Sequence, residues 1–280
     1  MTDTQTITGT AADRALKAKH RTMWASGDYP TLAAELIDDL GRRLVEATGV
    51  RPGDRVLDIA AGSGNASIPA ALRGATVVAS DLAPELFDVG RRRAREAGVQ
   101  IEWREADAEG LPFTDESFDA VLSCVGVMFA PHHELAAQEL LRVTRSGGRI
   151  GVLSWTPDGF IGRMFTTMKP FAAPLPDGAQ PAPLWGDEQH VRELLGDHVD
   201  DVVAVRSTVT IDRFSSPEEF RDYFASHYGP TIAVYARIAD DEEQVRSLDA
   251  ALVQLAADHG LRAAGDTLEW EYLLLTARKR

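Results

Sequence analysis

The run Arg55-Val-Leu-Asp-Ile-Ala-Ala-Gly-Ser-Gly-Asn65 constrains this chain more than any other stretch, because a short apolar strand passes there through two glycines into a helix. Val56, Leu57 and Ile59 are strand formers between Pro52-Gly53 and the Gly-Ser-Gly turn, the pattern of a parallel strand covered on both faces. Gly62 and Gly64 can take positive φ and let a ligand approach the backbone where a side chain would collide. The helix beyond points its free N–H groups at whatever sits over the turn. The segment reads as a cofactor cradle.

Strand, glycine turn and helix also open the dinucleotide-binding fold, whose fingerprint is G-x-G-x-x-G. Here the third glycine is missing, since Ser67 stands three residues after Gly64. Asp58 lies inside the strand end, where a dehydrogenase does not require an acid. Two more strand-end acids follow, and the second has no counterpart in the nicotinamide fingerprint. The first is Asp81, closing Ala75-Thr-Val-Val-Ala-Ser-Asp81, where a carboxylate can accept from two vicinal ribose hydroxyls. The second is Asp107, after the strand Ile101-Glu-Trp-Arg-Glu-Ala106; in Asp107-Ala108-Glu109 a carboxylate beside a free N–H can read the amino edge of adenine. Phe118 to Val125 and Gly147 to Ser154 are predicted as the fourth and fifth strands.

Alternating strands and helices, with acids at the ends of the first three strands, resemble the class I S-adenosylmethionine-dependent methyltransferases over residues 53–154. The family pattern D-x-G-x-G-x-G stands here as Asp58-Ile-Ala60-Ala-Gly62-Ser-Gly64, with Ala60 in place of the first glycine. The resemblance implies S-adenosylmethionine as cofactor. Asp81 would take the ribose hydroxyls, Leu82 would pack on adenine, and Asp107 with Ala108 would contact the adenine amino group. Cys124 would line the methionine side, and Asn65 and Glu109 complete the candidate cofactor residues. The run Glu139 to Arg149 looks like the helix and glycine turn before the fifth strand in the family's small-molecule, ubiquinone- and menaquinone-like branch. The implied fold is α/β, a Rossmann-like doubly wound seven-stranded sheet whose last strand is antiparallel.

On this reading all 280 residues form one methyltransferase domain. It comprises an N-terminal helical lid (8–50), the cofactor core (53–154), a substrate cap (155–195 and 215–262) and final strands (200–212 and 267–278). A hydrophobic fraction of 44% suffices for a core, and a net charge of −14 opposes nucleic acid or an anionic membrane as partner. Arg91-Arg-Arg-Ala-Arg95 falls late in a predicted helix and reads as a solvated face. One cysteine excludes an intramolecular disulfide and any Cys-based metal site, and suits a reducing compartment. No apolar run approaches membrane-span length, and Met1 to Thr6 lack the basic and apolar regions of a signal peptide, so the cytoplasm is expected.

Three segments exceed what the bare sheet needs, and substrate choice is expected there. The first, Ala11 to Thr48, reads as two helices broken at Ser26-Gly-Asp-Tyr-Pro30. Trp24 and Tyr29 flank that break, and Trp24 either touches the methionine end or simply anchors its helix. The second carries Trp155, Phe160, Met164, Phe165, Met168, Phe171 and Trp185, which favour a flat apolar substrate or only pack the cap. The third, Ser215 to His259, begins with a Ser-Pro-Glu-Glu helix start, and its Tyr223 and His227 share a helix face. An exposed aromatic cap or the N-terminal helix pair would serve as a homodimer surface.

The sulfonium already activates the methyl group, so the site mainly aligns a nucleophile and excludes water. A phenol, quinone-like ring or indole that loses a proton benefits from a general base. His227 is the first candidate, helped by Tyr29 or Tyr223, with His132 and His133 as rivals beside the helix opening at Pro131. After the fourth strand stands Ser123-Cys-Val-Gly126, not the Asn/Asp-Pro-Pro-Tyr motif of macromolecular amine methylation. No metal-ligand spacing and no phosphate-binding Lys-Ser/Thr loop is present. The remaining alternatives are a nicotinamide oxidoreductase and a catalytically silent cofactor-binding regulator.

Overall fold

A computed structural model describes residues 9–280; residues 1–8, which include the stretch read for a leader and the first residue of the expected lid, lie outside the described residues. Seven strands form one sheet: β1 (Arg55–Ile59), β2 (Thr76–Asp81), β3 (Ile101–Glu105), β4 (Phe118–Cys124), β5 (Thr144–Trp155), β6 (Val199–Ile211) and β7 (Leu268–Lys279). Their order is β3-β2-β1-β4-β5-β7-β6. β1 pairs in parallel with β2 and β4, so Val56 sits between Val77 and Ala120. Val56 and Leu57 are fully buried, as a strand covered on both faces must be. β7 runs antiparallel to both β5 and β6, as the resemblance implied.

This order places the site. The chain steps outward from β1 to β2 and β3, then returns to β4 on the other side of β1. The carboxyl ends of β1 and β4 therefore diverge, opening the crevice where open α/β sheets bind ligands.

Residues 11–48 form three helices rather than two: α1 (Ala11–Ala25), α2 (Tyr29–Leu36) and α3 (Asp38–Thr48). The extra break is Ile37, whose φ of −137° leaves the helix while its side chain stays buried. Asp38 and Asp39 then open α3, where acids suit the positive helix end. The break between α1 and α2 is capped as the sequence indicates, with Asp28 accepting the Thr31 N–H at 3.2 Å and Pro30 in the first turn. Leu40, Leu44 and Val45 of α3 are fully buried, and the helix packs across β4 and β5.

The core continues through α4 (Ser67–Leu72), α5 (Phe87–Glu96) and α6 (His133–Val143). The basic run on α5 is not all solvated: Arg93 donates to Asn65 Oδ1 at 3.0 Å and pairs with Asp38, tying α5 to the glycine turn and the lid. The cap consists of α7 (Phe160–Met168), α8 (Glu188–Leu195), α9 (Pro217–His227), α10 (Gly229–Ile238) and α11 (Glu242–Asp258). Ser216 caps α9 by accepting the Glu219 N–H at 3.2 Å, with Pro217 at the first helical position. Lid and cap meet at two glycines. A Cβ on Gly27 would collide with the His227 carbonyl, and one on Gly229 with the Met23 carbonyl. Among the described residues, no helix is long and apolar enough to cross a membrane.

Candidate active site

Asp81 and Asp107, at the ends of β2 and β3, reach one crevice, and Asp58 of β1 lies buried behind it. β1 is followed by Ala60, whose φ is +53°, and the chain turns through Gly62 and Gly64 at φ +54° and +90°. The Gly62 N–H donates to Asp81 Oδ2 and the Ala83 N–H to Asp81 Oδ1, both at 2.8 Å, which locks the end of β2 against the turn. Burial raises the Asp81 carboxyl to about 6, and the N–H donors from Ala83 and Gly62 oppose that rise. Asp58 is buried in β1; Ser67 Oγ donates to its Oδ2 at 2.6 Å, and its Oδ1 has no partner among the described residues. Its carboxyl is pushed up to about 7, chiefly by burial. Gly64 has no room for a side chain, because a Cβ would meet Trp103 at 2.9 Å.

These turns, with α1 above them, enclose a pocket of about 670 Å³ including its open mouth. Of the residues picked from sequence, Trp24, Tyr29, Ala60, Gly62, Asp81, Leu82, Asp107 and Ala108 line it. Asp58, Gly64, Asn65, Glu109 and Cys124 are not in its wall. Burial pushes the Cys124 thiol well up, and the neighbouring Asp58 adds to this, so the thiol stays protonated.

Glu109 binds α1 rather than facing the pocket. It pairs with Lys17, accepts the His132 backbone N–H at 2.7 Å and lies 3.0 Å from His132 Nδ1. Lys17 also reaches Asp107 Oδ1 at 3.0 Å, an oxygen that accepts the Glu109 N–H at the same distance. Asp107 Oδ2 has no hydrogen-bond partner among the described residues. Four residues farther along α1, Arg21 pairs with Glu85 and Glu105. Lys17, Arg21 and the pocket-lining His20 were not picked from sequence; their i, i+3 and i, i+4 spacing marks a face of α1 but not what it covers. Burial, then the charge of Lys17, lowers the His20 imidazole pKa.

The expected base candidates separate. Tyr29 lines the pocket, with its ring 3.4 Å from where a Gly62 Cβ would stand. Tyr223 and His227 do come together, stacked at 4.2 Å between ring centroids, but neither reaches the pocket. Tyr223 instead donates to Glu35 at 2.9 Å, and His227 Nδ1 lies 2.8 Å from Ser226 Oγ and 3.0 Å from its own helix's Tyr223 carbonyl. Helical spacing set their shared face but could not say that this face turns toward the lid's outer side. His132 is held by Glu109, and His133 is buried against His190 at 2.9 Å, with burial lowering its pKa to about 3.

A second cavity adjoins the first. Tyr29, Val125 and Phe129 belong to both walls, and the rest of this smaller cavity, a narrow gap with room for little more than one water, is formed by residues such as Trp155, Ile161, Phe224, Tyr228 and Trp270. The partition is an aromatic cluster: the Trp24 ring lies 4.6 Å from Phe129, 5.5 Å from Tyr29 and 5.9 Å from Tyr228, all edge to face.

The methyltransferase domain family matches residues 57–152, the span that carries all three strand-end acids. The chain belongs to the class I S-adenosylmethionine-dependent methyltransferases. Uncharacterized protein Rv1403c of Mycobacterium tuberculosis is 50% identical over 272 residues, covering 97% of this chain and 98% of that protein. The ubiquinone/menaquinone biosynthesis C-methyltransferase of Ectopseudomonas mendocina is 42% identical over 123 residues, 42% of this chain and 48% of that enzyme. Geranyl diphosphate C-methyltransferase from Streptomyces coelicolor shares the fold, with TM-score 0.51 at 16% identity, covering 86% of this chain and 78% of that one.

The pocket of this methyltransferase suits the cofactor its family uses. Asp81 offers lone pairs to ribose hydroxyls, Leu82 offers an apolar face, and Asp107 has a free oxygen beside Ala108. The Ala108 N–H lines the pocket with no partner among the described residues, a donor ready for a ring nitrogen. Asp58 Oδ1 is a second unmet group close behind the turn. When bound, S-adenosylmethionine supplies a methyl group already activated for displacement.

Proposed function

We propose that this enzyme transfers the methyl group of S-adenosylmethionine to a small, planar, largely apolar aromatic acceptor by in-line displacement. The observation that carries this reading is the wall of Tyr29, Val125 and Phe129 shared by the Asp81 pocket and the aromatic chamber. An acceptor ring that opens this narrow aromatic cavity would lie one side-chain layer from the cofactor pocket, and alignment with water exclusion is most of what the reaction asks. Tyr29 is the one sequence-picked base candidate in that wall. Burial holds its hydroxyl pKa well above the usual value, so it orients and donates rather than removing a proton. His227 and Tyr223 stack on each other away from the Asp81 pocket, and a proton released by the acceptor would pass to solvent water.

The aromatic lining favours phenols and quinone-like rings, and the quinone-linked name of the Ectopseudomonas enzyme favours them too, over the 42% of this chain that the match covers. The oxidoreductase alternative has no support. On the net charge of −14 and a single, half-buried thiol, the partners are small molecules and the compartment is the cytoplasm. Calorimetric titration with S-adenosylmethionine and with NAD, followed by methyl-transfer assays on planar phenols, quinols and indoles, tests the reading. Binding of the first alone with turnover on such an acceptor supports it. Turnover only on aliphatic or charged acceptors would refute it.

A further inference from the structure

One face of α1 roofs the Asp81 pocket: Lys17, His20 and Trp24, spaced three and four residues apart, all line it. Two of the three are accounted for by protein partners. Lys17 is clamped between Asp107 and Glu109, and Trp24 packs edge to face on Tyr29, Phe129 and Tyr228. His20 lies between them, half-buried. The hydrogen bonds around it run from Lys17 to Asp107 and between His132 and Glu109, while its own imidazole makes none among the described residues. The groups whose charge acts on the ring are Lys17, Glu109, Asp107 and His132, so it stands at the Asp107 end of the pocket. Burial, and then Lys17, keep it neutral near pH 7 and above. A neutral imidazole carries one N–H donor and one acceptor nitrogen.

The same end of the pocket leaves part of an adenine unread. Asp107 Oδ2 and the Ala108 N–H together meet one amino proton and one ring nitrogen. The adjoining edge of the base still presents the second amino proton and N7, a donor beside an acceptor. The side chains of Leu82, Leu86, Ala106 and Ala130 offer that edge nothing polar.

We infer that His20 is a specificity-determining residue for the cofactor: from the lid, its imidazole hydrogen-bonds the amino–N7 edge of adenine that Asp107 and Ala108 do not read. Either tautomer serves, accepting from the amino group or donating to N7. The inference concerns the cofactor alone and is independent of the methyl acceptor.

The test is calorimetric titration of the purified protein with S-adenosylhomocysteine and two analogues, one with N7 replaced by carbon and one with the 6-amino group replaced by oxygen. Wild type is compared with His20→Ala and His20→Phe, the second of which keeps a flat ring under the lid without the nitrogens. Both substitutions should weaken S-adenosylhomocysteine about tenfold, the loss of a single hydrogen bond. For at least one analogue the same substitutions should cost nothing, because the bond is already gone. Amide exchange across Ala11–Ala25 should match wild type in His20→Phe. Equal losses for all the ligands, or faster exchange of α1, would mean that His20 only seats the lid and would overturn the inference. Full affinity for S-adenosylhomocysteine in His20→Phe, or no binding of it to wild type, would overturn it as well.

Discussion

The Gly62 N–H donates to Asp81 Oδ2 at 2.8 Å, so the residue that the sequence pattern assigns to the cofactor's ribose also fixes the glycine turn after β1. Removing the carboxylate therefore acts twice, on the ligand and on the cradle.

Asp81→Ala should weaken S-adenosylmethionine binding by about 10- to 100-fold, the range for losing hydrogen bonds to a charged group. Asp81→Asn keeps one acceptor for Gly62 and should fall between the two. The pH dependence carries a definite sign. Hydroxyl donors favour the ionised carboxylate, and in the free protein burial holds Asp81 near 6, so affinity should rise as pH increases through about 6. Calorimetry at pH 5.5 and 7.5 checks both statements; an affinity independent of pH would remove Asp81 from the ribose role.

Asp58 gives a stability signature. Its folded pKa of about 7 lies above its unfolded value, so its favourable contribution is complete below the unfolded pKa and is lost as pH rises through 7. His133 acts oppositely: held neutral down to about 3, it disfavours the folded state as pH falls below the unfolded imidazole value. The total slope is thus mixed, and the difference between wild type and Asp58→Asn is the useful quantity. Relative to Asp58→Asn, wild type should lose stability between pH 5 and pH 8. Urea midpoints at the two pH values measure it, and a constant difference would show that Asp58 does not titrate there.

Ala60 and Val125 end the neighbouring strands β1 and β4, and both take φ of +53°, a region costly for side chains and most so for a β-branched one. Ser123 holds the two together: its Oγ donates to the Ile59 carbonyl at 2.7 Å and accepts the Val127 N–H at 2.8 Å. Ala60→Gly should raise stability by about 0.5–1 kcal/mol, the relief of αL strain minus the added chain entropy of glycine. Thermal unfolding of the ligand-free variant tests this, and a lowered midpoint would mean that the Ala60 methyl contributes packing that outweighs its strain.

How much of this could be read from sequence follows from the range of each signal. Asp81 and Asp107 were legible as pocket-lining residues because each stands at the end of its own strand, and a parallel sheet brings strand ends together without further information, while Asp58, inside β1, stays behind the pocket wall. Tyr29 and Trp24 were legible as residues flanking a Gly-Pro break. Lys17 with Glu109, and Arg93 with Asn65, join residues far apart in the chain, and no local pattern announces them. His227 was read on the right face of its helix, but the helix's rotation against the lid is set by the close approach at Gly27, which periodicity does not encode. Ile37 breaks a helix whose apolar spacing runs straight through it.

The Lys17 cluster yields the prediction that separates lid from core. Lys17 is nearly buried between Glu109, whose side chain is fully enclosed, and Asp107. Removing one member of a buried ion pair leaves an uncompensated charge and costs about 3–5 kcal/mol. Lys17→Met keeps the stem's apolar contacts but strands Glu109, with only the His132 N–H and imidazole left to hold it. Because Lys17 ties α1 to the loop after β3, that loss should fall on docking of the lid rather than on the sheet. Amide hydrogen exchange should accelerate across Ala11–Ala25 while the amides of β1 and β4 keep their protection, and S-adenosylmethionine affinity should fall as the pocket loses its roof. Glu109→Gln in the Lys17→Met background should recover part of the loss, since a neutral amide can still accept from His132 without a counter-ion. Uniformly faster exchange in lid and sheet together would instead mean that α1 unfolds only with the whole domain.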